Sequence, residues 1–403
     1  MYYKLRLIGG LFGDSTKVNV YATIVAISRE VTEFNLQDCF STNFTSVRQQ
    51  IKPDELCQII KSRPNVTSIN FSLNQLGKGF AGNSVDDLIS IFTSFPENLA
   101  SLDLSYNALG DLSADDLIKV LKALPVHLTS LNLEMNCLSK YSADDLIKIL
   151  NALPRHLTSL NLGWNDLSKY STDELVKILK TLSPHLTSLN LEGNTFYKFT
   201  YYKFTYDLII DDLVKVLKAF PTNLLSLNLG NNFLCRLSVG NLTEIFTIFS
   251  KGLTALDWSE NNLDHLSPDE LAEVFSFLPE NLDSLDISRH FFDDKQITAL
   301  FNFLAKSKIQ TLGLESSTMM RIQDYKGLSE VVIKKLQDIL SNNQRKGLLH
   351  ANPDRLGIYG LQALCGRAIT LFNIPLDVRN ISDQTLEIIK ESQQVFYSQG
   401  LKL

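Results

Sequence analysis

The chain has 403 residues, 44% hydrophobic and 20% charged, with a formal net charge of −6 at pH 7. That length and composition fit a soluble globular protein with a large core. The acidic balance argues against wholesale binding to nucleic acid or to an anionic membrane, either of which wants a basic field.

In chain order, residues 1–30 come first, with the strand-like stretches KLRLIG and KVNVYATIVAI separated by GGLFGDSTK. They predict a β-hairpin or degenerate unit that caps the edge of the core. The opening MYYKLRLIGGLFGDSTKVNV lacks the basic-then-apolar layout of a secretory signal. The stretch from Val18 to Ile27, broken by Asn19, is too short to span a bilayer, so no stable membrane insertion is expected. Cys39, Cys57, Cys137, Cys235 and Cys365 are odd in number and far apart, which reads as free thiols in a reducing compartment.

From residue 31 the chain repeats itself. Strings of the form LxxLxLxxNxL begin at Val31, Val66, Leu99, Leu128, Leu157, Leu186, Leu224, Leu253, Leu282 and Ile309, mostly 29 residues apart. Residues 113–141 and 142–170 differ at only six of 29 positions. Each unit joins two periods. Leu131 and Leu133 alternate with Ser130 and Asn132 as in a strand. Leu117, Ile118, Val120, Leu121 and Leu124 form one helical stripe. Ser113/Asp116, Ser142/Asp145, Ser171/Glu174 and Ser267/Glu270 resemble capping boxes, and Pro125, Pro154 and Pro279 are expected to stop the helices.

One strand and one helix cannot bury both apolar faces alone, so units must stack. Helices are about 10 Å wide and strands about 4.8 Å apart, so the stack curves with its parallel sheet on the concave side and helices outside. Asn107, Asn136, Asn165, Asn194, Asn232 and Asn261 fall where each strand turns outward, where their amides are expected to satisfy backbone groups. Cys39, His290 and Ser317 occupy that slot near the ends and read as degraded repeats.

The 29-residue unit resembles the ribonuclease-inhibitor-like class of leucine-rich repeats over roughly residues 31–325. That implies an α/β solenoid, a right-handed horseshoe of about ten units in residues 31–326 with a C-terminal helical cap in 327–403. The near-identical LxxLxLxxNxLS and ADDLIKxLxALPxHLTSL strings are similar, more narrowly, to the secreted leucine-rich-repeat effectors of the Legionella type. This resemblance implies a chain made in the bacterial cytoplasm, translocated into a host cell, and binding a host protein there without catalysis or cofactor.

On the concave side, one strand column is Ser68, Ser101, Ser130, Ser159, Ser188, Ser226, Ala255 and Ser284. The central column is Asn70, Asp103, Asn132, Asn161, Asn190, Asn228, Asp257 and Asp286, read as a solvated polar ladder or part of a contact face. Beyond them the sequence varies, as Ser105–Tyr106, Glu134–Met135, Gly163–Trp164, Glu192–Gly193, Gly230–Asn231, Ser259–Glu260 and Ser288–Arg289. Three of the six differences in the copied pair (Glu134/Gly163, Met135/Trp164, Cys137/Asp166) cluster at this strand exit. A recognition surface shows such variation, as does drift at exposed sites. Tyr106, Met135 and Trp164 are expected to form a stripe about 10 Å long, of the residue types favoured at interface hot spots. Asp103, Glu134, Glu192, Asp257, Glu260 and Asp286 stand against Arg289, which favours a partner with a basic or mixed-charge surface.

Between Asn194 and Leu213 the chain carries an insertion containing YKFTYYKFTY, residues 197–206. It falls in a strand-to-helix connection, on the variable rim. Two readings compete. Tyr197, Phe199, Tyr201, Tyr202, Phe204 and Tyr206 form a partner-contacting flap with Lys198 and Lys203, or a slipped duplication whose aromatics fold back on the helices.

Residues 327–403 read helical, over Leu328–Asn342, Asp354–Phe372 and Ser382–Ser398. They cap the core edge or form a small domain, and the second alternative leaves room for an enzymatic or adaptor activity, such as ubiquitin-pathway recruitment, selected by the repeats. Cys365 is followed by Gly366 and Arg367 rather than the Cys-x-Asp of a ubiquitin-ligase nucleophile. His127, His156 and His185 recur in one slot without a recurring carboxylate or thiol, so a stacked turn column is favoured over a metal site. GKGFAGNS (77–84) lacks the Gly-Lys-Ser of a phosphate loop, and there is no GxSxG or HExxH.

Overall fold

The computed structural model describes residues 32–36, 53–78, 84–196, 207–232, 234, 237–249 and 252–314, with five helical positions between 332 and 339. The chain divides into units of residues 1–340 and 341–403, and everything described lies in the first. The expected N-terminal cap, the 197–206 string, the strand-exit slots of Cys39 and Ser317 and most of the C-terminal helices lie outside the described residues. Val332 and Ile339 are helical and buried.

Ten strands form one parallel sheet in sequence order: β1 (Glu33–Asn35), β2 (Ser68–Asn70), β3 (Ser101–Asp103), β4 (Ser130–Asn132), β5 (Ser159–Asn161), β6 (Ser188–Asn190), β7 (Ser226–Asn228), β8 (Ala255–Asp257), β9 (Ser284–Asp286) and β10 (Thr311–Gly313). Each pairs in register with its neighbour, as in Leu131 with Leu160. The strands are three residues long, shorter than the leucine alternation suggested, and β1 to β9 each end in an Asn or Asp.

The helices follow the strands as α1 (Pro53–Lys61), α2 (Val85–Thr93), α3 (Ala114–Lys122), α4 (Ala143–Asn151), α5 (Thr172–Lys180), α6 (Asp207–Leu217), α7 (Val239–Ile248), α8 (Pro268–Phe275) and α9 (Asp294–Lys306). Each repeat is therefore a strand and a helix, and the whole is an α/β solenoid. Leu117, Val120 and Leu121 of α3 are buried in one core with Leu131 and Leu133, and the same slots are buried repeat after repeat. The serine before α2, α3, α4, α5, α7 and α8 accepts from the backbone N–H three residues on, as Ser113 does from Asp116. Reciprocal capping boxes close at Ser171/Glu174 and Ser267/Glu270, and also at Ser84/Asp87, Ser238/Asn241 and Asp293/Gln296. At Ser113 and Ser142 the hydroxyl instead donates to the Asp116 and Asp145 carboxylates, whose other oxygens hold Lys119 and Lys148. The helices end before the prolines expected to stop them: α3 closes at Lys122, and Pro125 sits in the following turn, where its carbonyl accepts from Leu128 N–H.

Two features of the connection are absent from the periodicity. Short 3-10 turns at Leu109–Asp111, Leu138–Lys140 and Leu167–Lys169 bridge strand exit and helix. Tyr141 and Tyr170 then tie repeats together, Tyr141 Oη donating to the Leu109 carbonyl at 2.8 Å and Tyr170 Oη to the Tyr141 carbonyl at 3.0 Å. In the first of these turns Gly110 is a close-approach glycine. A Cβ there would lie 2.2 Å from the Cys137 carbonyl oxygen.

Candidate functional site

The strand-exit rim is built by two sets of asparagines with different tasks. The central column, half-buried on the sheet, also has a structural task. Asn132 Oδ1 accepts from Glu134 N–H at 2.9 Å, Asn161 from Gly163 at 2.8 Å, Asn190 from Glu192 at 2.8 Å, and Asp103, Asn228, Asp257 and Asp286 do the same two residues on. These are Asx-turns that end β3 to β9. Asn and Asp recur there because the turn needs a short side-chain acceptor.

The second set is fully buried. Asn165 Oδ1 accepts from Asn136 N–H at 3.0 Å and Leu138 N–H at 3.2 Å, while its Nδ2 donates to the Leu133, Leu162 and Gly163 carbonyls. Asn107, Asn136, Asn194, Asn232 and Asn261 repeat this, and Asn74, one repeat earlier, extends the chain of amides. The expectation that His290 is a degraded member is corrected. Its Nδ1 accepts from Leu263 N–H at 2.8 Å and its Nε2 faces the Trp258 carbonyl at 3.2 Å, so an imidazole carries the ladder on.

Between the two sets the backbone is left-handed. Leu73, Tyr106, Met135, Trp164, Asn231, Glu260 and Arg289 have φ of 62°, 57°, 53°, 54°, 52°, 56° and 59°, and Gly193 has φ of 66°. The conformation is pinned by the sheet ladder running through it. Tyr106 N–H donates to the Glu134 carbonyl at 2.9 Å, Met135 to Gly163 at 3.1 Å and Trp164 to Glu192 at 2.7 Å. For a residue with a Cβ this region costs roughly 1–2 kcal/mol, which glycine avoids and asparagine tolerates better.

The structure brings Tyr106, Met135 and Trp164 onto adjacent strand exits, as expected, and adds Leu73, which the sequence reading missed. Its signal was its place immediately before Asn74. Leu73 and Tyr106 are 36% and 39% exposed, and Met135 and Trp164 are half-buried. The Trp164 indole lies on bare Gly193, where an added Cβ would come within 2.4 Å of ring atoms Cδ2 and Cε2.

The charged residues are tied in. Glu134 Oε2 accepts from Asn161 Nδ2 at 3.0 Å and Glu192 Oε2 from Asn228 Nδ2 at 3.3 Å. Arg289 is ion-paired with Glu260. Burial, and then the neighbouring Asp286, push the Asp257 carboxyl up to about 7. The acidic excess that remains at the rim is centred on Asp103, Glu134 and Glu192. The insertion falls between Phe196 and Asp207, in the strand-to-helix connection. Its Tyr197, Phe199, Tyr201, Tyr202, Phe204 and Tyr206 lie outside the described residues. His127 and His156 stack at 6.0 Å. Among the described residues no His, Cys, Asp and Glu cluster has the makings of a metal site, and no helix is long and apolar enough to cross a membrane.

The family model described as "Leucine Rich repeat" matches residues 96–117 and 154–169. Among solved structures, the leucine-rich repeat-containing protein LegL7 from Legionella pneumophila is similar at 32% identity over 76% of this chain and 87% of that one, with a TM-score of 0.58. A chain of the yeast Rad7–Elc1 complex matches at 17% identity over 79% of each chain, with a TM-score of 0.46. No curated protein matches.

Proposed function

This chain belongs to the leucine-rich-repeat family, and from that premise we propose that it is a non-enzymatic scaffold that binds another protein along its strand-exit rim. The observation that carries the reading is the left-handed column. Leu73, Tyr106, Met135 and Trp164 hold bulky apolar side chains at a backbone position where Gly193 and Asn231 show that smaller residues serve. Folding alone favours glycine or asparagine there. Aromatic and methionine side chains on adjacent strands are what a protein interface uses as anchors.

Asp103, Glu134 and Glu192 flank the stripe, so the partner surface is basic or mixed in charge. The aromatic string 197–206, inserted in the connection that follows β6, is read as further partner-contacting material. The Legionella pneumophila origin of LegL7 supports placing the partner in a eukaryotic host and reading this chain as a translocated bacterial effector. The test is affinity isolation from eukaryotic lysate on the immobilised full chain and on a variant carrying Tyr106→Asn, Met135→Asn and Trp164→Asn. Proteins retained by the first and lost from the second support the reading. An identical retained set defeats it.

A further inference from the structure

Among the described residues, six consecutive joints of the buried ladder are made by carboxamides accepting from the preceding repeat, and the seventh by the ring of His290. A carboxamide offers an acceptor and a donor at every pH. An imidazole offers both only as one neutral tautomer. Leu263 N–H donates to Nδ1, so that nitrogen keeps its lone pair, and the ring proton sits on Nε2 toward the Trp258 carbonyl. The ring is 4% exposed and stacks on Phe292 with centroids 5.2 Å apart. A proton added to Nδ1 would set one N–H against another in a site closed to water.

We propose that His290 is an acid-sensitive joint in the solenoid: protonation of its ring releases the Leu263 amide and opens the contact between the repeats of β8 and β9, while the asparagine-built joints stay closed. The charged groups bearing on the ring are Asp286 at the end of β9 in its own repeat and Asp264 and His265 in the loop of the preceding repeat. From the following helix, Asp293 is engaged in capping Gln296, and the adjacent Arg289 is paired with Glu260. Burial dominates, holding the ring down at about 4 against the raising effects of the Trp258 carbonyl, Asp264 and Asp286. The His265 nitrogens lie 2.9 Å from the Asn262 carbonyl and 3.0 Å from the Leu237 carbonyl, contacts that do not cross the joint between the repeats of β8 and β9.

Residue-resolved amide hydrogen exchange on the full chain between pH 7.5 and 4 tests this. After correction for intrinsic exchange, opening at Leu263 should rise roughly ten-fold per pH unit below about pH 6.5. The Leu138 and Leu167 amides, held by Asn165 and Asn194, should show no such rise. His290→Asn should remove the response at Leu263. Equal pH dependence at all three amides, or a response that survives His290→Asn, overturns the proposal. Should that variant fail to fold, the comparison among the three amides in the unaltered chain decides alone.

Discussion

The strand exits of the early repeats and those of the later ones share one backbone and differ in what they carry on it. Leu73, Tyr106, Met135 and Trp164 occupy the left-handed position first, then Gly193 and Asn231 take it, then the paired Glu260 and Arg289. Hydrogen bonding through the position is the same in both halves, from Tyr106 to Glu134 and from Asn231 to Ser259. The fold thus needs the conformation and is indifferent to the bulk. The buried asparagines just beyond show the opposite: a fixed side chain repeat after repeat and, among the described residues, one substitute, His290, that reproduces two of the amide's five contacts.

That contrast breaks most visibly in the ladder. Asn165→Ala removes a side chain that serves five backbone groups, and should cost about 4 kcal/mol in urea unfolding of the whole chain. A loss below about 1 kcal/mol would mean that the ladder is dispensable.

The next effect is set by pH. His290 titrates at about 4 in the folded chain, below its ordinary 6.5, so the unfolded chain takes the proton first. Its contribution is complete above pH 6.5 and falls away as pH drops to about 4, by about 3 kcal/mol in all. Asp257, pushed up to about 7, has the other sign: its contribution is complete below 3.8 and lost as pH rises through 7. Subtracting the unfolding profile of His290→Asn from that of the unaltered chain cancels Asp257. The remaining difference, unaltered chain minus variant, should fall by about 3 kcal/mol from pH 7 to pH 4, and a flat difference would count against the buried neutral ring.

How much of this was legible in sequence depends on which physical effect carried the signal. Leucine spacing fixed strand, helix and stacking order, because burial leaves a period in the chain. Asn165 and its equivalents were readable as backbone partners because they recur. The left-handed column was not, since no glycine pattern marked it: Leu73, Tyr106, Met135 and Trp164 are residues that ordinarily avoid that region. His290 looked like decay because an imidazole and a carboxamide share hydrogen-bonding geometry but no letter. The Asx-turn role of Asn132 and Asp257 was hidden for the opposite reason, a polar column on a sheet being explicable by solvation alone.

Within the rim, Gly193→Ala separates the two halves at their boundary. A methyl group would meet the Trp164 ring and strain a backbone at φ of 66°, so a loss of about 2 kcal/mol is expected in the same unfolding assay. The same substitution in a Trp164→Asn background should cost less, about 1 kcal/mol, and equal costs in both would show that the indole does not rest there. Smallest of all are the rim replacements themselves. Tyr106→Asn, Met135→Asn and Trp164→Asn should each change stability by no more than about 1 kcal/mol, relief of backbone strain offsetting lost packing.

The most direct measurement pairs stability with affinity in those three variants, once a retained host protein is in hand. The rim reading expects each substitution to weaken binding by ten-fold or more, and the triple substitution by well over a hundred-fold, with the urea midpoint held within that narrow range. Binding that persists in the triple variant, or that falls only in step with stability, would make the apolar stripe part of the scaffold instead of the surface that meets a partner.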